Sequence, residues 1–147
     1  MTWRWHVLGG LIAYGVGLLV ESFVGTVGFV ETIPFLTLSL FGALFPDIDT
    51  TSKVRKLVYT KWLIVFFAIL IFLNPNPLLL IFACGITLLP FLVRHRGLFH
   101  NVFFLAALAF VPALVLAHYF SEQNGLISTC ACFFFLGTLS HVILDHL

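Results

Sequence analysis

The chain has 147 residues, 61% of them hydrophobic and 9% charged, with a net charge of +1. A mean hydropathy of +1.14 excludes a soluble domain, and serial runs of about 20 apolar residues predict membrane helices. The near-neutral balance excludes a large basic face for nucleic acid. The expected fold class is all-α: one transmembrane domain over residues 1–147, a polytopic helical bundle of about six segments.

The first segment is expected over residues 3–20. Trp3 and Trp5 stand where interfacial aromatic anchors belong, with His6 just inside them. Gly9, Gly10, Gly15 and Gly17 suit close helix packing in lipid, and the segment reads as a retained helix rather than a signal peptide. Residues 21–32, with Glu21, Glu31, Gly25 and Gly28, read as a connection, partly re-entrant. A second segment is expected from Pro34, a good first-turn residue, to Phe45 and Pro46. At about 18 Å it is short of the roughly 30 Å hydrocarbon core, so Asp47 and Asp49 are expected to sit recessed below the membrane surface.

Thr50, Thr51 and Ser52 offer cap hydroxyls for a third segment. It starts among Lys53, Arg55, Lys56 and Lys61 and runs to about residue 73. Residues 74–77 (Asn-Pro-Asn-Pro) form a strong turn. A fourth segment over 78–93 carries Pro90 as a kink. Within residues 94–101, Gly97 bends the backbone, so His95 and His100 need not obey helical spacing. A fifth segment runs to about residue 120, a turn covers 121–125, and a sixth runs from Leu126 to the C-terminus. Cys84, Cys130 and Cys132 are odd in number and include a Cys-x-Cys inside a helix, against a disulfide framework. They are expected as reduced, buried apolar residues.

Alternating six segments puts Arg4, Lys53, Arg55, Lys56, Lys61, Arg94 and Arg96 on one side with both termini. Glu21, Glu31 and Glu122 fall on the other. The positive-inside rule makes the first side cytoplasmic. The same alternation gathers His6, Asp47, Asp49, His95, His100, His141 and Asp145 at cytoplasmic segment ends, and sends His118 to the far side.

His141 and Asp145, four apart, share one helical face. Polar groups at lipid depth are costly to hold. The bland alternative is a helix-internal ion pair. Asp47 and Asp49 can flank one cation or bridge two, or form an Asx-turn. His95 and His100 bracket the Gly97 bend. His6, alone beside two tryptophans, reads as structural somewhat more readily than as a ligand, and His146 faces elsewhere. A mixed His/Asp set suits Zn2+, with Mn2+ or Fe2+ compatible, as one or two ions. Beside Arg94 and Arg96, which can bind phosphate oxygens in a bidentate way, such a set fits a phosphoester-cleaving centre. Asp49 and Arg96 are the expected catalytic residues. No Gly-x-Ser-x-Gly elbow is present to support a serine hydrolase.

The expected function is therefore a membrane-bound metal-dependent hydrolase, with a membrane lipid or lipid-linked phosphoester as substrate. The alternatives are an ion-coupled transporter and a scaffold that recruits a cytoplasmic protein partner through the basic residues at 53–61.

Four motifs carry a family resemblance: Leu44-Phe45-Pro46-Asp47-Ile48-Asp49, His95-Arg96-Gly97-Leu98-Phe99-His100, Gly137-Thr138-Leu139-Ser140-His141-Val142-Ile143-Leu144-Asp145, and the early His6-Val7-Leu8-Gly9-Gly10. Over nearly its whole length the chain resembles the YdjM-type inner-membrane proteins. That family is described as membrane-bound metal-dependent hydrolases and, in some members, as LexA-binding; the activity in that description is itself an inference. The resemblance implies a polytopic membrane protein with His6, Asp47, Asp49, His95, His100, His141 and Asp145 as metal ligands. Asn101 stands where the pattern has Ser, and Thr50 follows the aspartates where it has His, which removes one ligand. In ligand type alone, the set is also loosely similar to the zinc-dependent phospholipase C group.

Overall fold

The computed structural model describes residues 3–24, 29–49, 60, 61, 64, 68 and 98–147. Of the third segment it describes Thr60, Lys61, Ile64 and Ala68, all helical. The fourth segment, the turn at 74–77, Pro90 and Cys84 lie outside the described residues.

Apart from those third-segment residues, the described residues form four α-helices and no strand. They are α1 (Trp3–Val24), α2 (Phe29–Leu44), α3 (Val102–Tyr119) and α4 (Asn124–Asp145). Short 3-10 turns cover Phe45–Asp49, Leu98–His100 and Ser121–Gln123. Among the described residues, three stretches are long and apolar enough to cross a membrane: Trp3–Phe23, Val102–Tyr119 and Ser121–Asp145. Thr32–Asp47 is a shorter apolar helix.

The expected connection at 21–32 is largely helix. Glu21 belongs to α1, and α2 already starts at Phe29. The cause is a polar partner across the bundle: Thr129 Oγ1 on α4 donates to Glu21 Oε1 at 3.1 Å. A carboxylate so met can stay inside an apolar helix. Pro34 consequently lies within α2, past its first turn. With 16 residues, α2 is about 24 Å long rather than about 18 Å, still short of the hydrocarbon core.

The chain forms two compact units, residues 1–46 with 99–147, and residues 47–98. The first is built on α4. Helix α2 runs parallel to it in one steady register: the Phe35 and Phe133 rings stack at 4.8 Å, Ser39 meets Gly137, and Ala43 meets His141. Helix α1 runs antiparallel to α4, with His6 by Asp145 at one end and Glu21 by Thr129 at the other. Helix α3 is also antiparallel to α4, with His100 by Asp145 and Phe110 by Phe135. The starts of α1 and α3 and the ends of α2 and α4 thus share one end of the unit. There the Phe45 and Phe99 rings lie 5.5 Å apart, so the chain leaves and re-enters this unit at the same end.

Small residues set the α2–α4 spacing. A Cβ on Gly42 would strike the Phe134 carbonyl oxygen, and one on Gly137 the Ser39 carbonyl oxygen. Only glycine lets these backbones touch, and in lipid such close approach is what holds helices together. Ser39 Oγ also donates to the Gly10 carbonyl at 2.9 Å, tying α2 to α1. Cys130 and Cys132 carry free thiols, but neither is buried as expected: Cys130 is half-buried and Cys132 exposed. The helix face of Cys132 turns out of the bundle.

Candidate metal centre

Four side chains from two helices and one turn meet at the shared end of the first unit. His6 sits one turn into α1 and is 1% exposed, inside the exposed Trp3 and Trp5. His141 is 0% exposed. Asp145 follows it by one turn on the same face of α4. His100 ends the 3-10 turn before α3.

The local sequence explains how His100 is held. Asn101 Oδ1 accepts from Phe103 N at 2.9 Å and Phe104 N at 3.2 Å, so Asn101 is the N-cap of α3. Serine is an equally favoured cap, so Asn101, a departure from the expected pattern, preserves this role. Asn101→Ala is expected to cost about 1 kcal/mol of stability and to weaken metal binding through His100, whereas Asn101→Ser keeps both. Thermal unfolding and metal titration of the two variants check this.

Asp145 is the hub. Its Oδ1 lies 3.5 Å from His6 Nε2. Its Oδ2 lies 3.3 Å from His100 Nε2 and 3.4 Å from His141 Nε2. Charge-assisted N–H···O bonds run shorter, about 2.7–2.9 Å. Two ligands on one tetrahedral ion with bonds of about 2.0–2.1 Å are about 3.3 Å apart, which matches these spacings. His6, His141 and Asp145 each offer a ligand atom, all within 4.8 Å of one another.

The tautomer of His141 points the same way. Its Nδ1 is 2.7 Å from the Ala43 carbonyl oxygen, so Nδ1–H donates there. Ala43 lies in the last turn of α2, where carbonyls outrun intrahelical donors. With Nδ1 protonated, the neutral ring turns the Nε2 lone pair towards Asp145 Oδ2. A lone pair facing a carboxylate is unfavourable until a cation lies between them. A backbone carbonyl on the distal nitrogen is also the usual orienting partner of a ligating histidine. One carboxylate cannot balance three imidazolium charges, whereas divalent cations suit neutral imidazoles and a carboxylate together. The donor set therefore fits a metal. The side chains of Asp145 and His100 are 25% and 18% exposed, so the centre opens on their side.

The other predicted site residues are placed differently. Asp47 and Asp49 fall in the 3-10 turn after α2, within the second unit. Arg94, His95 and Arg96 lie outside the described residues. His118 is in the last turn of α3, at the opposite end from His100, with its ring 5.5 Å from Tyr119. His146 is exposed just beyond α4. Sequence reasoning missed the Ala43 carbonyl, a main-chain acceptor that any residue at 43 would carry. The apolar end of α2 directly before Pro46 was its only signal.

A family model described as YdjM inner membrane protein matches residues 1–147, the whole chain. No curated protein and no solved structure matches it.

Proposed function

The chain belongs to the YdjM inner membrane protein family, and from that premise we propose that it is a metal-dependent hydrolase cleaving a phosphoester of a lipid or lipid-linked substrate at the cytoplasmic face. The observation that carries this reading is the approach of three imidazole Nε2 atoms to within 3.3–3.5 Å of one carboxylate. Mixed imidazole and carboxylate donors suit Zn2+, with Mn2+ and Fe2+ as alternatives. Such an ion supplies a Lewis acid for a phosphoryl group and acidifies a water. His6, His100, His141 and Asp145 are the residues that would supply metal ligands.

The sequence offers Arg94 and Arg96 as the residues that would bind non-bridging phosphate oxygens, and Asp49 as the one that would move the proton. Trp3 and Trp5, exposed on the turn of α1 that leads to His6, are residues of the headgroup zone. A centre one turn from them suits a substrate whose headgroup reacts while its chain stays in the bilayer.

The test is cleavage of a panel of phospholipids and lipid-linked phosphates by the full chain in nanodiscs with Zn2+ or Mn2+. Release of phosphate or headgroup is expected. Arg96→Ala should lower the rate by about 100-fold or more, the usual effect of removing a transition-state donor, with metal content unchanged. A fully metal-loaded protein that cleaves none of them, and instead carries metal ions into liposomes, overturns the hydrolase reading in favour of transport.

A further inference from the structure

We propose that the centre is built for two ions bridged by Asp145, with His6 serving one and His141 together with His100 the other. This rests on the metal-binding reading above and specifies it.

The imidazoles of His6 and His141 are stacked, with centroids 3.9 Å apart and planes 19° from parallel. Both Nε2 atoms approach the same carboxylate, so their lone pairs run side by side in one direction. A ligating imidazole holds its ion in the ring plane, ahead of the nitrogen, at about 2.0–2.1 Å. An ion midway between these two rings would lie out of each plane by up to half the centroid separation. That displacement is nearly the whole bond length, so the ion would sit beside each nitrogen and not ahead of it. One ion cannot be served by both rings as they stand.

Two ions, one ahead of each ring, would be separated by roughly the stacking distance. Dinuclear hydrolytic centres space their ions about 3.5–4 Å apart. Asp145 supplies one oxygen to each position: Oδ1 faces His6 at 3.5 Å and Oδ2 faces His141 at 3.4 Å. His100 sorts with His141, because its Nε2 also faces Oδ2, at 3.3 Å. Its ring meets that of His141 at 71°, with centroids 5.6 Å apart. Rings set edge to face can converge on one ion where stacked rings cannot.

The experiment loads the purified full chain with Mn2+, counts metal per protein by mass spectrometry and records the electron paramagnetic resonance spectrum. Two ions with an exchange-coupled spectrum are expected. His6→Gln should retain one ion and show an isolated-ion spectrum. A wild-type protein with one ion overturns the pair and leaves the metal-binding reading standing, while one with none overturns both. A His6→Gln protein that keeps two ions, or loses both, overturns the assignment of His6 to an ion of its own. Should that variant fail to fold by circular dichroism, the wild-type spectrum decides: coupling supports the pair and isolated ions overturn it.

Discussion

Asp145→Asn is expected to leave a folded protein that no longer binds metal. The substitution keeps the size of the side chain at the end of α4 but removes its charge and one of its two ligand oxygens. Asp145 is the group that His6, His100 and His141 all face, so its loss removes the attraction that gathers the cation. Mutating an outer partner of a metal ligand already costs about 10–100-fold in affinity, and loss of this hub should exceed about 100-fold. Thermal unfolding gives a direct readout. A ligand at 100 times its Kd stabilises the native state by about 2.7 kcal/mol, so wild-type protein should melt higher when Zn2+ or Mn2+ is added. Asp145→Asn should not respond, while its helical circular dichroism stays as in the wild type.

The second large effect is at Gly137, well inside the bundle. Even the Cβ of Gly137→Ala would meet the Ser39 carbonyl oxygen, a backbone atom that cannot rotate aside. Overpacking of this kind costs about 1–3 kcal/mol, and Gly137→Leu should cost more. Because α2 packs on α4 as a rigid parallel partner, pushing Ser39 away also draws the Ala43 carbonyl from His141 Nδ1, now 2.7 Å distant. A metal affinity lower by about 10–100-fold is expected with the loss of this orienting partner. Gly15→Leu is the control. A Cβ there meets nothing within 4 Å, so stability and metal binding should both hold. Thermal melts and metal titrations of the Gly137 and Gly15 variants separate the two cases.

Some of this was readable in the residues and some was not, for physical reasons. The His141–Asp145 pair was visible because helical spacing fixes which side chains share a face. His100 was visible as a residue beside a bend. Its cap was less so, because Asn101 differs from the serine expected there while serving α3 in the same way. His6 was ambiguous: one histidine beside two tryptophans fits an anchor as well as a ligand, and only the antiparallel docking of α1 on α4 brings it to Asp145.

The stretch at 21–32 was misread because glutamates and glycines look like a connection in a soluble or a membrane chain alike. Thr129, far away in sequence, is what lets Glu21 remain in the helix. The glycines of segment one suggested close packing, and Gly9, Gly10 and Gly17 are tightly packed while Gly15 is not; tighter still, against backbone, are Gly42 and Gly137. Small residues show that helices can approach, and register decides which of them do.

The most direct test of a metal-binding YdjM-family protein is the metal content of the purified full chain. It is dialysed against metal-free buffer, offered Zn2+ or Mn2+, freed of excess and measured by mass spectrometry. Stoichiometric metal is expected in the wild type and none in Asp145→Asn. A wild-type chain that keeps its helical circular dichroism, stays monodisperse and takes up neither ion would contradict the metal centre.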